Sequence, residues 1–333
     1  MNIAITGVGG GVGQSILKSL EDTNYKLVAL DGESLAAGLY AAETSYLIPY
    51  ANDESYIPKL LEICRKEDIS LLFPGLDAEL MPLSKNRQLF KEIGTTVIVS
   101  SPDVITVSDD KQQTYAQLTE AGVNVPATFP AEQYEPTTED YPIILKQKVG
   151  GARSKNVFVA RNPSEWAAIL KEVGDSRSDF IAMNYIEGEE YTCGTVNLDG
   201  SCKGAILMRR ILRDGDTHKC FTVKNDVVEA EVRKAVAALK PFGACNVQLK
   251  FNDGKAWVFE INARCSGTTA ARTLSGFNEP KMIADFLLKG IEPEYSIKEQ
   301  TILRYWQELV VENEITEQMR KESFVNLKEP KKL

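Results

Sequence analysis

The sequence is short of the residues that build zinc sites, disulfide frameworks and membrane spans. Its 333 residues include one histidine and six cysteines, and no two cysteines form a Cys-x-x-Cys pair. We therefore expect neither a zinc site nor a disulfide framework, and buried reduced thiols in a cytoplasmic protein are the simplest account. No apolar run is long enough to span a bilayer, and the chain enters a strand directly after Met1 without a signal-peptide core. The net charge of −9 argues against a general nucleic-acid binder, so neither a membrane nor a nucleic acid is an expected partner.

Two common enzyme signatures are also absent. The sequence has no Gly-x-Ser-x-Gly motif, and its serine, histidine and acidic positions offer no convincing hydrolase triad. The single histidine, His218, lies in a polar stretch that is typical of an exposed loop. His218 could serve as a lone general base, and an exposed loop residue is the simpler interpretation.

The length and the pattern of apolar segments predict more than one domain. A chain of 333 residues is too long for one ordinary compact core, so two or three domains are expected. Residues 1 to about 105 alternate strands and helices, which is typical of an open α/β domain with a parallel sheet. Strand-rich segments after residue 140 indicate a distinct α+β half, and the Lys-rich end of the chain is expected to fray.

The segment from Gln248 to Arg264 predicts two strands joined by a turn. If the apolar faces of both strands point to one core, Gln248 must share a face with Glu260 and Asn262. That arrangement needs a loop with an odd number of residues, because a two-residue Asp253–Gly254 turn would place the two apolar sets on opposite faces. Three oxygen ligands with Arg264 nearby suit magnesium bound to phosphates. The alternative is a half-exposed hairpin whose polar residues face water.

A glycine-rich turn from Gly7 to Gly13 joins the first predicted strand to the first helix. Backbone amides at such a helix start can bind an anion. The spacing fails the Gly-x-Gly-x-x-Gly dinucleotide fingerprint. Asp31 lies where a ribose-binding acid would stand, so a nicotinamide interpretation survives, as does a tight turn without any ligand.

Two later segments carry chemistry suited to a nucleotide. Lys146 and Lys148 share a strand face before a basic turn from Gly150 to Asn156, where glycines would let the backbone approach a phosphate. The turn lacks the Walker A order Gly-Lys-Ser/Thr, so it is not a P-loop. The strand from Ala182 to Ile186 can offer backbone groups to a base, and a carboxylate beyond it could bind ribose. For both segments the alternative is a solvated surface hairpin.

The order of these motifs resembles the ATP-grasp superfamily, and within it the carbamoyl-phosphate-synthase-like branch. An α/β domain precedes Asp110-Lys111, and then come the lysine strand with its Gly-rich turn, a Tyr-Ile-x-Gly-x-Glu-Tyr segment, and the hairpin with Gln248 and Glu260-x-Asn-x-Arg. The resemblance covers residues 1 to about 290. It implies a pre-ATP-grasp domain with an open parallel sheet at residues 1–108, followed by a two-part ATP-grasp fold with antiparallel sheets. The two parts would be a small lid subdomain at 109–188 and a large subdomain with a C-terminal extension at 189–333.

The resemblance also implies a role for each matching residue. Contacts with ATP are implied for Lys111, Lys146, Lys148, Gly151, Ser154, Met183, Asn184, Tyr185, Ile186 and Glu190. Magnesium, with manganese as a substitute, would be held by Gln248, Glu260 and Asn262. Catalytic roles are implied for Lys146, Arg210 and Arg264, with Arg264 on the transferring phosphoryl group. Asn156 replaces a glycine of the family pattern, and the turn can persist because Asn tolerates a positive φ.

The implied activity is an ATP- and magnesium-dependent ligation. Such an enzyme activates a small-molecule carboxylate as an acyl phosphate, because oxide is a poor leaving group, and joins it to an amine, thiol or other nucleophile. Arginines that could bind a substrate carboxylate are Arg209, Arg210, Arg213 and Arg272. Salt bridges on a surface sheet are the alternative role for them.

Two rival functions remain at the level of sequence. One is a nicotinamide-dependent oxidoreductase that uses the glycine-rich turn, and the other is a nucleotide-binding regulator without catalysis. The oligomeric state stays open, and a homodimer through the first domain is compatible with the sequence.

Overall fold

The computed structural model describes residues 1–150 and 156–333. Within these residues the chain forms three β-sheets with helices packed against them. Gly151 and Ser154, which the resemblance assigns to a phosphate lid, lie outside the described residues. In the described part of the chain, no helix is both long and apolar enough to cross a membrane.

The first sheet is built from N-terminal βα units. Its strands are β1 (Asn2–Ile5), β2 (Lys26–Asp31), β3 (Thr44–Leu47), β4 (Ile69–Phe73) and β5 (Thr96–Val97), and its helices are α1 (Gly11–Leu20), α2 (Tyr56–Lys66) and α3 (Asp77–Glu92). The strands run parallel in the order β3-β2-β1-β4-β5. Because such a sheet is covered on both faces, Ile3, Ala4 and Ile5 are all fully buried. The predicted open parallel sheet is confirmed.

A small antiparallel sheet follows two connecting helices. The elements are α4 (Pro102–Asp109), α5 (Lys111–Glu120), β6 (Thr128–Pro130), β7 (Ile143–Gln147), β8 (Val157–Ala160), α6 (Pro163–Val173) and β9 (Phe180–Asn184). The strand order is β6-β9-β7-β8. Trp166 of α6 anchors a small core on this sheet. Asn156, just before β8, has φ 56°, so it adopts the left-handed conformation expected of it.

The largest sheet is antiparallel and carries most of the residues predicted to act on metal and phosphate. Its elements are β10 (Glu189–Leu198), β11 (Ser201–Arg213), β12 (Asp216–Thr222), α7 (Asp226–Leu239), β13 (Gly243–Asn252), β14 (Lys255–Asn262), α8 (Thr269–Leu274), α9 (Glu279–Lys289) and β15 (Thr301–Leu303). The strand order is β14-β13-β10-β11-β12-β15. One face of the sheet packs against α7, and the predicted antiparallel architecture is confirmed.

The β13–β14 hairpin corrects the prediction of an odd-length loop. Asn252 pairs with Lys255, so the turn contains two residues, Asp253 and Gly254, with φ 48° and 74°. The register shifts farther down the hairpin: Gln248 lies opposite Glu260, whereas Leu249 lies opposite Val258. The extra residue, Phe259, forms a β-bulge that reverses the alternation of side chains. Gln248 therefore shares its face with Glu260, as expected, but the bulge rather than the loop is responsible.

The end of the chain folds back onto the first sheet instead of fraying. Helix α10 (Asn313–Glu322) leads into β16 (Phe324–Asn326), which pairs antiparallel with β3. Met319 and Val325 are the apolar anchors, and both are buried. The Lys-rich end itself is also held, since the Lys331 amide donates to the Tyr40 carbonyl at 2.8 Å and Leu333 packs against the core, so the expectation of a frayed end was wrong.

Candidate active site

A cavity of about 980 Å³ lies where the first sheet, the small sheet and the large sheet meet. The predicted site residues that line it are Lys111, Lys146, Met183, Tyr185, Ile186, Glu190, Arg210, Gln248, Glu260, Asn262 and Arg264. Residues far apart in sequence therefore converge on one space, as the order of motifs implied.

Two of the described residues that were predicted to contact ATP do not line this cavity. Strand β7 ends at Gln147, so its side-chain alternation no longer holds for Lys148. The backbone N–H of Lys148 donates to the Asp179 carbonyl at 2.8 Å, and that of Asn184 donates to the Ala127 carbonyl at 3.0 Å. The cavity therefore gives no support to ATP contacts by the side chains of Lys148 and Asn184.

Three side-chain oxygen donors share the cavity face of the β13–β14 hairpin. Asn262 donates from Nδ2 to Oε1 of Glu260 at 2.9 Å, and Gln248 accepts through Oε1 from Arg210. One carboxylate and two amide oxygens are hard ligands of the kind magnesium prefers. Because the set carries a single negative charge, most of the charge of a bound magnesium ion would be neutralised by the phosphates of the nucleotide. The residues present therefore fit a magnesium ion that arrives with a nucleotide.

Arg210 ties the predicted ribose-binding acid to the predicted metal face. Its Nε and Nη2 donate to Oε1 of Glu190 at 2.9 and 2.6 Å, and Lys250 contacts the other oxygen at 3.0 Å. Burial alone would raise the pKa of Glu190, but the two cations outweigh it and lower that pKa. Glu190 thus carries a negative charge at neutral pH, and Arg210 holds it beside Gln248.

Lys146 is buried against a tyrosine that the sequence analysis missed. Its Nζ donates to the Tyr115 hydroxyl at 2.7 Å and to the Phe259 carbonyl at 3.2 Å. The Tyr115 hydroxyl donates to the same carbonyl at 2.6 Å. Burial lowers the pKa of Lys146 to about 7, with Lys111 adding to the effect and Glu260 opposing it. The bulge that sets the face of the hairpin is therefore also hydrogen-bonded to the buried lysine.

Arg264 reaches from the end of β14 to the first residue of α3. Its Nε and Nη2 both donate to the carboxylate of Asp77, the latter at 2.8 Å, and Nη1 donates to the Cys265 carbonyl at 2.8 Å. The side chain of Arg264 is 12% exposed. The pairing joins the first sheet to the large sheet at the cavity wall.

Lys111 lies at the start of α5, on the rim of the cavity. The carboxylate of Asp110 caps this helix by accepting from the Gln112 and Gln113 backbone amides. Lys111 Nζ donates to the Gly150 carbonyl at 2.7 Å. Lys111 therefore contacts Gly150, which is the last described residue before the segment that is expected to cover the phosphates.

Most of the candidate substrate arginines, and the single histidine, do not line the cavity in the described part of the chain. Arg209 pairs with Glu189 and lies over the Phe221 ring, while Arg272 is fully buried with Glu279. Arg213 and His218 are likewise not among the described lining residues, and His218 lies half-buried within β12 rather than in the exposed loop that was expected. Arg304 does line the cavity, and its Nη1 donates to the Thr217 carbonyl at 2.8 Å. Nothing in the short Thr-Ile-Leu-Arg segment marked Arg304 in advance, because its position depends on how β15 joins the large sheet.

The glycine-rich turn lines the far end of the cavity without forming a ribose site. Asp31 Oδ2 accepts from the Gly9 amide at 2.6 Å, and Oδ1 accepts from the Glu33 amide at 2.9 Å. Asp31 thus holds the turn in place, and it is not among the described residues that line the cavity, so the cavity gives no support to a ribose contact by Asp31. Gly10, Gly11, Gly267 and Thr268 nevertheless line the cavity.

Two family models match the chain. The model described as "PylC-like, N-terminal domain" matches residues 3–98, and the model described as "ATP-grasp in the biosynthetic pathway with Ter operon" matches residues 176–309. Among curated proteins, the chain is similar to the carbamoyl phosphate synthase large chain of Thermoanaerobacter sp. (strain X514), with 22% identity over 280 residues, or 76% of this chain and 24% of that protein. The chain thus spans about a quarter of the length of that relative.

Solved structures share the fold at low sequence identity. An L-amino acid ligase from Bacillus licheniformis superimposes with a TM-score of 0.66 and 17% identity, covering 86% of this chain and 74% of that one. An N5-carboxyaminoimidazole synthetase from Staphylococcus aureus, complexed with ADP, superimposes with a TM-score of 0.68 and 18% identity, covering 91% and 79%.

The arrangement of sheets around one cavity is the ATP-grasp fold. Residues 176–309 match an ATP-grasp family model, and the fold is shared with ATP-grasp structures, as the motifs predicted. Its sequence similarity to carbamoyl phosphate synthase large chains also agrees with the predicted branch.

Proposed function

We propose that the protein is an ATP- and magnesium-dependent ligase. It would activate a small-molecule carboxylate as an acyl phosphate and join it to an amine or another nucleophile. The observation that carries the proposal is the convergence of a buried lysine, an oxygen-donor face and an arginine on one cavity: Lys146, Gln248, Glu260, Asn262 and Arg264. A cavity for a nucleotide alone would not need Arg264 beside the metal face.

One end of the cavity suits a nucleotide. We assign adenine to the hinge between β9 and β10, where Met183, Tyr185 and Ile186 line the cavity, and the ionised Glu190 suits ribose hydroxyls. Lys111 and Lys146 would contact the phosphates. We assign magnesium to Gln248, Glu260 and Asn262, where the bound ion would neutralise charge on the phosphoryl oxygens.

The proposed reaction has two steps. A carboxylate oxygen of the substrate attacks the γ-phosphorus, and ADP leaves with the electrons of the broken P–O bond. The amine then attacks the carbonyl carbon of the acyl phosphate, loses a proton, and displaces phosphate. Arg264 would stabilise the charge on the transferring phosphoryl group in both steps.

The other end of the cavity suits an anionic substrate. Arg264 and Arg304 supply positive charge there, and Gly11, the first residue of α1, lines the same cavity, whereas the Gly10 amide already donates to the Gly7 carbonyl at 3.0 Å. Arg binds carboxylates through paired N–H groups. We therefore assign the carboxylate substrate to the space between the glycine-rich turn and the large sheet.

The comparisons support this proposal. The structural relatives include an amino acid ligase and a synthetase complexed with ADP, and the sequence relatives are carbamoyl phosphate synthase large chains. The nicotinamide alternative loses its main support, because Asp31 is not among the described residues that line the cavity and its carboxylate holds the glycine-rich turn.

Several finer predictions are retained as proposals. These are the division into residues 1–108, 109–188 and 189–333, a cytoplasmic location, and a homodimer. Because β16 pairs with β3, the end of the segment 189–333 belongs to the same sheet as residues 1–108.

The proposal is tested by measuring ADP and phosphate release from Mg-ATP across pools of carboxylates and amines. We expect ADP release that requires one carboxylate and is increased by one class of nucleophile. No ADP with any pair, together with tight binding of NAD, would contradict the ligase function.

A further inference from the structure

We propose that Asp77 is a positioning residue for Arg264, and that it links the N-terminal domain to phosphoryl transfer. The inference rests on the proposed function, because that function places Arg264 on the transferring phosphoryl group. Asp77 itself is the first residue of α3 and lies on the cavity wall.

The pairing fixes which edge of the guanidinium faces the cavity. A guanidinium group carries five N–H donors in one plane. Asp77 accepts from Nε and Nη2 of Arg264, and the Cys265 carbonyl accepts from Nη1. Two N–H groups remain for an oxyanion in the cavity, one on Nη1 and one on Nη2. Without Asp77, the long side chain of Arg264 would be free to rotate away from that orientation.

Asp77 is itself held in place by a buried acid. Glu79 is 3% exposed, and its Oε2 accepts from the backbone amides of Gly75 and Leu76, each at 3.1 Å, and from the Thr6 hydroxyl at 2.7 Å. Glu79 therefore fixes the first turn of α3 to the end of β1. A displacement of Asp77 would require this buried set of hydrogen bonds to change.

Close backbone contacts make the same segment rigid. A Cβ on Gly75 would lie 2.1 Å from the Thr6 carbonyl oxygen, and one on Gly7 would lie 2.6 Å from Cγ of Leu76. The glycine-rich turn thus lets the β4–α3 connection pack directly on the end of β1. This packing gives the turn a role that the nucleotide interpretation did not supply.

Asp77 contacts the residue assigned to phosphoryl transfer and none of the described residues assigned to nucleotide binding. It contacts Arg264 from the first domain, whereas the predicted adenine, ribose and lysine contacts come from the other two sheets. Loss of the Asp77 carboxylate should therefore lower kcat while leaving the KM for Mg-ATP within about twofold. A misplaced catalytic group can cost about 100-fold in rate, so we expect a decrease in kcat of about 10- to 100-fold.

The test compares Asp77→Asn, Asp77→Glu and the control Asp103→Asn. Asp103 is an exposed acid in the first turn of α4, so its variant reports the loss of a helix-terminal charge alone. We expect a large loss of kcat in Asp77→Asn, partial recovery in Asp77→Glu, and wild-type kcat in Asp103→Asn. Equal losses in Asp77→Asn and Asp103→Asn would overturn the positioning role.

A second measurement does not depend on turnover. The ¹⁵N-edited NMR resonance of Arg264 Nε–H, assigned by its loss in Arg264→Lys, should shift and exchange faster with water in Asp77→Asn. An unchanged resonance together with wild-type kcat would overturn the role of Asp77. A wild-type protein that binds Mg-ATP but never forms ADP would instead overturn the proposed function.

Discussion

The hydroxyl oxygen of Tyr115 lies 2.7 Å from Nζ of Lys146, and both groups are buried beneath the cavity. Both also donate to the Phe259 carbonyl, which belongs to the bulge in β14. Three elements, α5, β7 and β14, are thereby joined at one point. The position of the lysine and the face presented by Glu260 are set by the same contacts.

The first prediction concerns the Tyr115 hydroxyl. Tyr115→Phe removes one hydrogen-bonding group while keeping the ring, so Lys146 loses an acceptor and the bulge carbonyl loses a donor. We expect the free energy of unfolding to fall by about 1–3 kcal/mol, as for other buried polar groups left without a partner, and the KM for Mg-ATP to rise. Denaturant unfolding and steady-state kinetics measure the two effects.

Tyr50→Phe is the matched control, since the side chain of Tyr50 is 64% exposed. It should leave both quantities unchanged. Wild-type stability and KM in Tyr115→Phe would show that the hydroxyl does not support the site.

The second prediction follows from the pKa of Lys146, which burial lowers to about 7. The ammonium form is present below that pH and is lost above it, so kcat/KM for ATP should fall as the pH rises through about 7. In the unfolded chain Lys146 keeps its ordinary pKa of 10.5, so between pH 7 and 10.5 the unfolded chain binds more protons than the folded one. The contribution of Lys146 to the free energy of unfolding should therefore increase as the pH rises above 7. A pH profile of kcat/KM and of unfolding tests both signs.

Lys146→Arg supplies the comparison for this profile. A guanidinium stays charged across the range, so the decline near neutral pH should disappear even if activity is lower. A decline that persists in Lys146→Arg would assign it to another group.

The third prediction concerns the metal face. Glu260→Gln removes the single carboxylate of the predicted set, and we expect it to abolish Mg-dependent ADP formation while the fold is retained. Circular dichroism and a magnesium titration of activity are the measurements. Glu172→Gln, at an exposed position on α6, should behave as wild type, and wild-type activity in Glu260→Gln would reject the metal assignment.

The fourth prediction addresses the hairpin turn. Gly254 has φ 74°, and no atom of the described residues outside the turn itself lies within 4 Å of the place a Cβ would take, so an alanine there would meet backbone strain but no clash. Gly254→Ala should lower the free energy of unfolding by about 1 kcal/mol. Gly11→Ala, at the first residue of α1 and with similar open space around it, should not lower it. Equal stabilities of Gly254→Ala and wild type would contradict the two-residue turn.

The parts of the site that could be predicted are those fixed by local sequence. Lys146, Glu260 and Arg264 follow from strand patterns and from the order of the motifs. The bulge could not be predicted from the sequence. A regular β14 joined by an odd-length loop would also have placed Gln248, Glu260 and Asn262 on one face. The bulge carbonyl accepts hydrogen bonds from Tyr115 and Lys146, which lie more than a hundred residues away.

Residues supplied by tertiary structure were missed for the same reason. Asp77 and Arg304 reach the cavity from different sheets, and neither lies in a segment with a recognisable motif. The candidate arginines on β11 were only partly useful: Arg210 points into the site, whereas Arg209, its neighbour on the strand, pairs with Glu189 on the surface. Strand alternation separates the two, but the sequence alone does not say which face borders the cavity.

The most direct test of the account is the fate of oxygen from the carboxylate. A carboxylate that stimulates ADP release would be labelled with ¹⁸O and turned over with Mg-ATP and the amine. If an acyl phosphate forms, one labelled oxygen must pass from the carboxylate to the released phosphate, which mass spectrometry detects. Phosphate that carries no label, despite ADP and amide formation, would contradict the proposed activation.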